Sequence, residues 1–187
     1  MSYSARDLLR VPGLLSLTRI PLAAGFPLTI EHPRWSIALL VVAGLTDVAD
    51  GWYARRFGQA TPTGAILDGV MDKLFVVAVV ITLVASKDLS IAEALLLGTR
   101  DLGEIGIALA WIRKSSEPHR SFLPTANWAG KLATFTQFVA VVAVLLGTAH
   151  RMTWIGAAAA CGVLAAITYA VRERESDRDR AQDVRDS

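Results

Sequence analysis

The apolar residues of this chain are gathered into long, nearly unbroken runs, such as residues 74–86 and 138–147. Runs of that length bury poorly in a small soluble core but match the thickness of a bilayer, which a helix of about 20 residues crosses. Composition alone would not decide the matter. The 187 residues are 53% hydrophobic, only slightly above the roughly 45–50% of soluble domains. A lone cysteine, Cys161, rules out an internal disulfide framework. A net charge of +2 without a continuous basic stripe argues against a nucleic-acid partner.

Six segments are long enough to span: residues 14–30, 35–57, 61–86, 89–112, 126–150 and 153–171. Polar and helix-breaking residues separate them. Glu31, His32, Pro33 and Arg34 follow the first, Gly58 to Pro62 the second, and Ser86, Lys87 and Asp88 the third. Glu117, Pro118, His119, Arg120 and Pro124 precede the fifth, while only His150 and Arg151 precede the sixth. The expected fold is therefore all-α, a polytopic membrane protein of six transmembrane helices. It forms one domain over 1–187: a juxtamembrane segment (1–13), the bundle (14–171) and a charged tail (172–187). No small-residue cleavage site follows the opening run, so the first span is read as retained. The first ten residues read equally as a surface-lying amphipathic helix or as a polar cap. The tail alternates Arg with Asp and Glu and reads as a solvated, fraying helix end.

Cation placement orients the bundle. With the N-terminus in the cytoplasm, the inner segments hold Arg6, Arg10, Arg55, Arg56, Arg113, Lys114, Arg120, Arg172, Arg174, Arg178, Arg180 and Arg185. The outer loops hold only Arg34, Lys87 and Arg151. Even without the tail's five arginines the bias remains inward, so both termini are expected in the cytoplasm.

Away from the Arg55–Arg56 end, the second and third spans carry Asp47, Asp50, Asp68, Asp72 and Lys73. A charged side chain near mid-span costs roughly 2.5–3.5 kcal/mol, so four lone carboxylates would cost about 10 kcal/mol. A cation must sit among them, or water must reach them. Asp47 and Asp50 are three apart and Asp68 and Asp72 four apart, so each pair shares one face of its helix. The two spans are antiparallel and joined by a short loop, which puts both pairs at similar depth near the cytoplasmic side. An all-oxygen donor set without nearby His or Cys suits Mg²⁺ or Mn²⁺, two ions about 3.5–4 Å apart in a bridged site. Gly51, Ala54 and Gly64 provide room for close approach, though small residues in spans also serve helix packing. Arg55 supplies a cation suited to a phosphate, or simply a topology signal.

Read in order, Asp47-x2-Asp50-Gly51-x2-Ala54-Arg55-x8-Gly64-x3-Asp68-x3-Asp72 resembles the signature of the CDP-alcohol phosphatidyltransferases at every specified position. The six-span layout resembles that family over about residues 10 to 172. The resemblance implies transfer of the phosphatidyl group of CDP-diacylglycerol to a hydroxyl, with release of CMP. It implies metal binding by Asp47, Asp50, Asp68 and Asp72, with Asp72 as general base. It further implies that Asp50, Gly51, Ala54, Arg55 and Gly64 surround the CDP donor, that the enzyme is a homodimer, and that its site faces the cytoplasm.

For the acceptor, Arg19, Arg100, Asp101, Glu104 and Lys131 lie in or at the ends of spans. Arg100 with Lys131 is the preferred phosphate-binding pair, against internal pairing of Arg100 with Glu104 one turn away. Arg113, Lys114 and Arg120 read as topology determinants. Leu17-Thr18-Arg19, Leu67-Asp68 to Asp72-Lys73, and Gly130-Lys131-x2-Thr134-x2-Gln137 resemble the phosphatidylglycerophosphate synthases and the related cardiolipin synthases. Glycerol 3-phosphate is thus the expected acceptor. Gly13, Gly69 and Asp101 depart from that branch, which leaves inositol phosphate, inositol and phosphatidylglycerol open. Outside enzymes, the same carboxylates would suit a divalent-cation transporter. That reading needs polar groups reaching both faces, whereas the outer half of the third span is apolar.

Overall fold

The computed structural model describes residues 11–59, 61–114 and 128–186. Expectations for the first ten residues and for the break at Glu117 to Pro124 lie outside these. Among the described residues there is no strand. The helices are α1 (Val11–Leu17), α2 (Arg19–Thr29), α3 (Pro33–Arg56), α4 (Pro62–Ala85), α5 (Ile91–Leu97), α6 (Thr99–Lys114), α7 (Trp128–Leu145) and α8 (Arg151–Asp186).

Four stretches are long and apolar enough to cross a membrane: Val11–Thr29, Pro33–Arg56, Trp128–Leu145 and Arg151–Val171. α4 is as long as α3 and apolar through its second half, but Asp68, Asp72 and Lys73 place three charges close together in its first half. Two expected spans are interrupted. The first breaks at Thr18, where Pro21 has no N–H to offer the Leu17 carbonyl and the Thr18 hydroxyl bonds the Leu15 carbonyl at 2.6 Å. The fourth breaks at Gly98 into α5 and α6, where the Thr99 hydroxyl turns back to the Leu96 carbonyl. Such back-bonding by threonine competes with the helix ladder. The charged tail does not end the last helix: α8 continues to Asp186.

The chain divides into two compact units between Ile91 and Ala92. In the first, α1 packs on α3 and α4, and α2 on α4 and α3. Its core holds Ala23, Phe26, Leu40, Ala43, Phe75, Val79 and Leu83, with Phe26 and Phe75 edge to face at 6.5 Å. The α2–α3 turn is pinned by Ser36, fully buried, whose hydroxyl bonds the Thr29 carbonyl at 2.8 Å. In the second unit, α8 packs on α7 and α6 around Ala133, Ala140, Val144, Ile155, Ala158 and Ala165. There Arg151 pairs with the buried Glu93 at 3.3 Å.

Candidate active site

The link between α3 and α4 fixes the height of the acidic residues. α3 closes on Gly58 at φ +62°, with Gln59 N bonded to Ala54 O at 2.9 Å and Phe57 N to Tyr53 O at 3.0 Å. This left-handed closure is the one glycine makes without steric cost. Thr61 then caps α4, its hydroxyl accepting from Gly64 N at 3.1 Å, and Pro62 takes the first helical position, where a missing N–H costs nothing.

From this link, Asp47 and Asp50 rise along α3 and Asp68 along α4. One carboxylate oxygen from each lies within 4.8 Å of the others. Asp50 is the floor, its side chain 4% exposed, while Asp47 and Asp68 are 47% and 38% exposed. Asp72, one turn further along α4 and half-buried, is not one of this group of three, though its charge acts on the same neighbouring cation, Arg19.

That cation was not singled out by the sequence reading as a partner of the aspartates. Arg19, at the start of α2 and 1% exposed, sends Nη2 to Asp47 Oδ1. Its Nη1 donates to Asp68 Oδ1 at 2.8 Å and to the Asp68 carbonyl at 3.2 Å. Nη2 is 3.7 Å from Asp50 Oδ2. One turn earlier, the Ser16 hydroxyl lies 3.1 Å from Asp50 Oδ2, 3.4 Å from Asp68 Oδ1 and 3.1 Å from the Pro12 carbonyl. Its single proton serves one of these at a time. The signal for Arg19 was available: an arginine inside an apolar span needs a carboxylate as much as the aspartates need a cation.

Around the cluster, the exposed Arg55 folds its guanidinium over Gly51, so that a Cβ there would sit 3.3 Å from Nη1. Ala54 is half-buried on the same helix. A Cβ on Gly64 would meet the Thr61 hydroxyl at 3.0 Å. Trp52 and Phe57 are exposed at this end of α3, as aromatic residues are at membrane boundaries.

In the second unit, Arg100 donates to the Thr134 hydroxyl and pairs with Glu104 at 3.1 Å, while its Nε is buried without a hydrogen-bond partner. Gln137 donates to Asp101 at 2.9 Å. Lys131 is exposed, its ammonium 5.7 Å above the Trp128 ring. Side chains of Arg113 and Lys114 lie outside the described residues.

The ligand atoms that the cluster offers are all carboxylate oxygens, those of Asp47 and Asp68 partly open to the outside, a set that fits a hard divalent cation. A family model described as CDP-alcohol phosphatidyltransferase matches residues 9–169. A putative cardiolipin synthase of Mycobacterium tuberculosis is 35% identical over 158 residues, 82% of this chain and 72% of the relative. A probable phosphatidylglycerophosphate synthase of the same species is 36% identical over 140 residues, 72% of this chain and 64% of the relative. A CDP-diacylglycerol–glycerol-3-phosphate 3-phosphatidyltransferase of Pectobacterium atrosepticum is 36% identical over 156 residues, 80% of this chain and 84% of the relative.

Proposed function

The chain belongs to the CDP-alcohol phosphatidyltransferase family, and from that premise we propose that it moves the phosphatidyl group of CDP-diacylglycerol to glycerol 3-phosphate, releasing CMP. It is an integral membrane enzyme. The observation that carries the reading is the meeting of Asp47, Asp50 and Asp68 oxygens within 4.8 Å in a chain whose apolar helices hold the lipid end of such a donor.

Asp47, Asp50, Asp68 and Asp72 are the proposed ligands of Mg²⁺ or Mn²⁺. When bound, such ions neutralise the donor's diphosphate and the departing CMP. Asp72, half-buried one turn along α4 from Asp68, is also the proposed general base, accepting the proton of the attacking hydroxyl. Asp50, Gly51, Ala54, Arg55 and Gly64 surround the CDP moiety, with Arg55 supplying positive charge to a phosphate and the two glycines leaving room for it. Arg100 and Lys131 are the proposed acceptor-phosphate residues; the exposed ammonium of Lys131 and the unspent Nε–H of Arg100 support this. The enzyme is further proposed to cross the membrane six times, with both termini and the site in the cytoplasm, and to work as a homodimer.

Phosphatidylglycerol, giving cardiolipin, is the second reading for the acceptor, favoured by the 35% identity to a putative cardiolipin synthase. The deciding experiment is CMP release from CDP-diacylglycerol by purified protein with Mg²⁺ or Mn²⁺. Glycerol 3-phosphate, phosphatidylglycerol, inositol phosphate and inositol are each supplied alone. Release only with glycerol 3-phosphate is expected; release only with phosphatidylglycerol moves the assignment to the second reading, and none with any acceptor removes both.

A further inference from the structure

Among the described residues, three buried side-chain polar atoms bond to no other group: Gln59 Oε1, Thr63 Oγ1 and Arg100 Nε. Two of the three fall in the α3–α4 link. A polar atom buried without a partner is costly and uncommon in native proteins, so two in one turn point to a ligand that supplies the partners. The backbone ties both to the residues proposed around the CDP moiety. Gln59 N bonds to the Ala54 carbonyl at 2.9 Å, and Thr63 immediately precedes Gly64, whose N–H is taken by Thr61. We infer that Gln59 is a specificity-determining residue that reads the donor's cytosine base, its Oε1 accepting from the exocyclic amino group. The inference rests on the CDP-diacylglycerol reading above and adds a residue from the unspecified positions of the signature.

The chemistry of the donor narrows the choice. An amide oxygen accepts and therefore needs a hydrogen-bond donor. The ionised diphosphate and the ester oxygens of CDP-diacylglycerol only accept, so neither meets that need. Its hydrogen-bond donors are the cytosine amino group and the ribose hydroxyls alone. A planar amide suits the amino group: beside it stands the unprotonated ring nitrogen N3, which the amide's own N–H meets in a second, parallel bond, as Gln and Asn do with adenine. Uracil carries a carbonyl where cytosine carries the amino group, so Oε1 would face another acceptor. A buried polar group left unpaired in this way is what lets a site reject a close analogue. Thr63 discriminates less, because its hydroxyl both donates and accepts and either base or the sugar would satisfy it. Gln59 therefore carries the inference.

The test is calorimetric binding of CDP, UDP and inorganic pyrophosphate to the full-length protein in detergent with Mg²⁺. Wild type is expected to prefer CDP over UDP by at least about tenfold. Gln59→Met, of similar size but without the acceptor, is expected to bind CDP about tenfold more weakly and to bring that preference below about threefold. Pyrophosphate binding should stay within about twofold of wild type. Gln59→Glu offers acceptors only and should keep the CDP-to-UDP ratio within about threefold of wild type. Without nucleotide, Gln59→Met should melt no lower than wild type, because an apolar group replaces an unpaired buried oxygen. No preference in wild type, or an unchanged one in Gln59→Met, overturns the inference and leaves the transferase reading in place. Equal loss of CDP and UDP binding also overturns it, by assigning the oxygen to the ribose. Loss of pyrophosphate binding with a lower melting temperature does so too, by making Gln59 a support of the link. Absence of CDP binding by wild type removes the donor reading itself. Should Gln59→Met not fold, Gln59→Ala makes the same comparison.

Discussion

Asp68 and Asp72 are one helical turn apart on α4, yet only Asp68 joins Asp47 and Asp50, and that difference argues for different work. Arg19 engages one carboxylate oxygen of Asp47 and one of Asp68; Asp72, a turn further along α4, is the proposed base. Asp72→Asn is expected to lower kcat by about 10²–10⁴-fold, the usual share of a positioned base, with nucleotide binding largely kept. Calorimetric CDP binding beside the CMP-release rate checks this, and full turnover by the variant would exclude Asp72 as the base. For the acceptor, Arg100→Ala is expected to raise the KM for glycerol 3-phosphate about tenfold or more, as losing a charge-assisted contact does, without a matching change for CDP-diacylglycerol. An unchanged acceptor KM would return Arg100 to its Glu104 pair. Spacing made the aspartates legible, because a three- or four-residue interval fixes a helix face without any tertiary knowledge. Arg19 was not legible as their partner: it is 28 residues from Asp47 and 49 from Asp68, and no local periodicity says which helix its span will lie against.

At the level of elements, the α3–α4 link decides whether those aspartates meet. Thr61→Ala removes the hydroxyl that accepts from Gly64 N and is expected to cost about 1 kcal/mol. Gly58→Ala forces a Cβ into a left-handed position at φ +62°, at about 1–2 kcal/mol. Both are measured as loss of thermal stability in detergent, and the fall should be steeper for CMP release than for overall helicity if the link sets the register of the site. A variant that unfolds earlier but retains full CMP release would separate the link from the chemistry. Helix limits near Pro33, Pro62 and Gly58 were legible because proline and glycine act through their own backbone. The breaks inside the expected first and fourth spans were not, since an apolar run looks continuous in sequence whether or not threonine hydroxyls and Pro21 interrupt its ladder. The tail was legible as a helix end: α8 runs on to Asp186, and its alternating opposite charges favour helix.

For the molecule as a whole, the number of crossings follows from where the surface turns lie, and parity makes it testable. Arg34 opens α3, Arg56 closes it, and His150 precedes α8; all three are exposed. In a Cys161→Ser background, Arg34→Cys and His150→Cys are expected to react with a membrane-impermeant maleimide in intact cells, and Arg56→Cys and Ser187→Cys only after permeabilisation. The cation bias requires this outcome, since Arg55 and Arg56 belong with the inner set and Arg34 with the sparse outer one. His150 is the discriminating position. If it reacts from outside along with Arg34, an even number of helices lies between them, and the stretch divided at Gly98 must cross despite its break. If it reacts only from inside, that stretch does not cross, the bundle has five spans, and the two termini lie on opposite sides. The aspartates would keep their side in either case, because Arg34 and Arg56 alone fix the direction of α3.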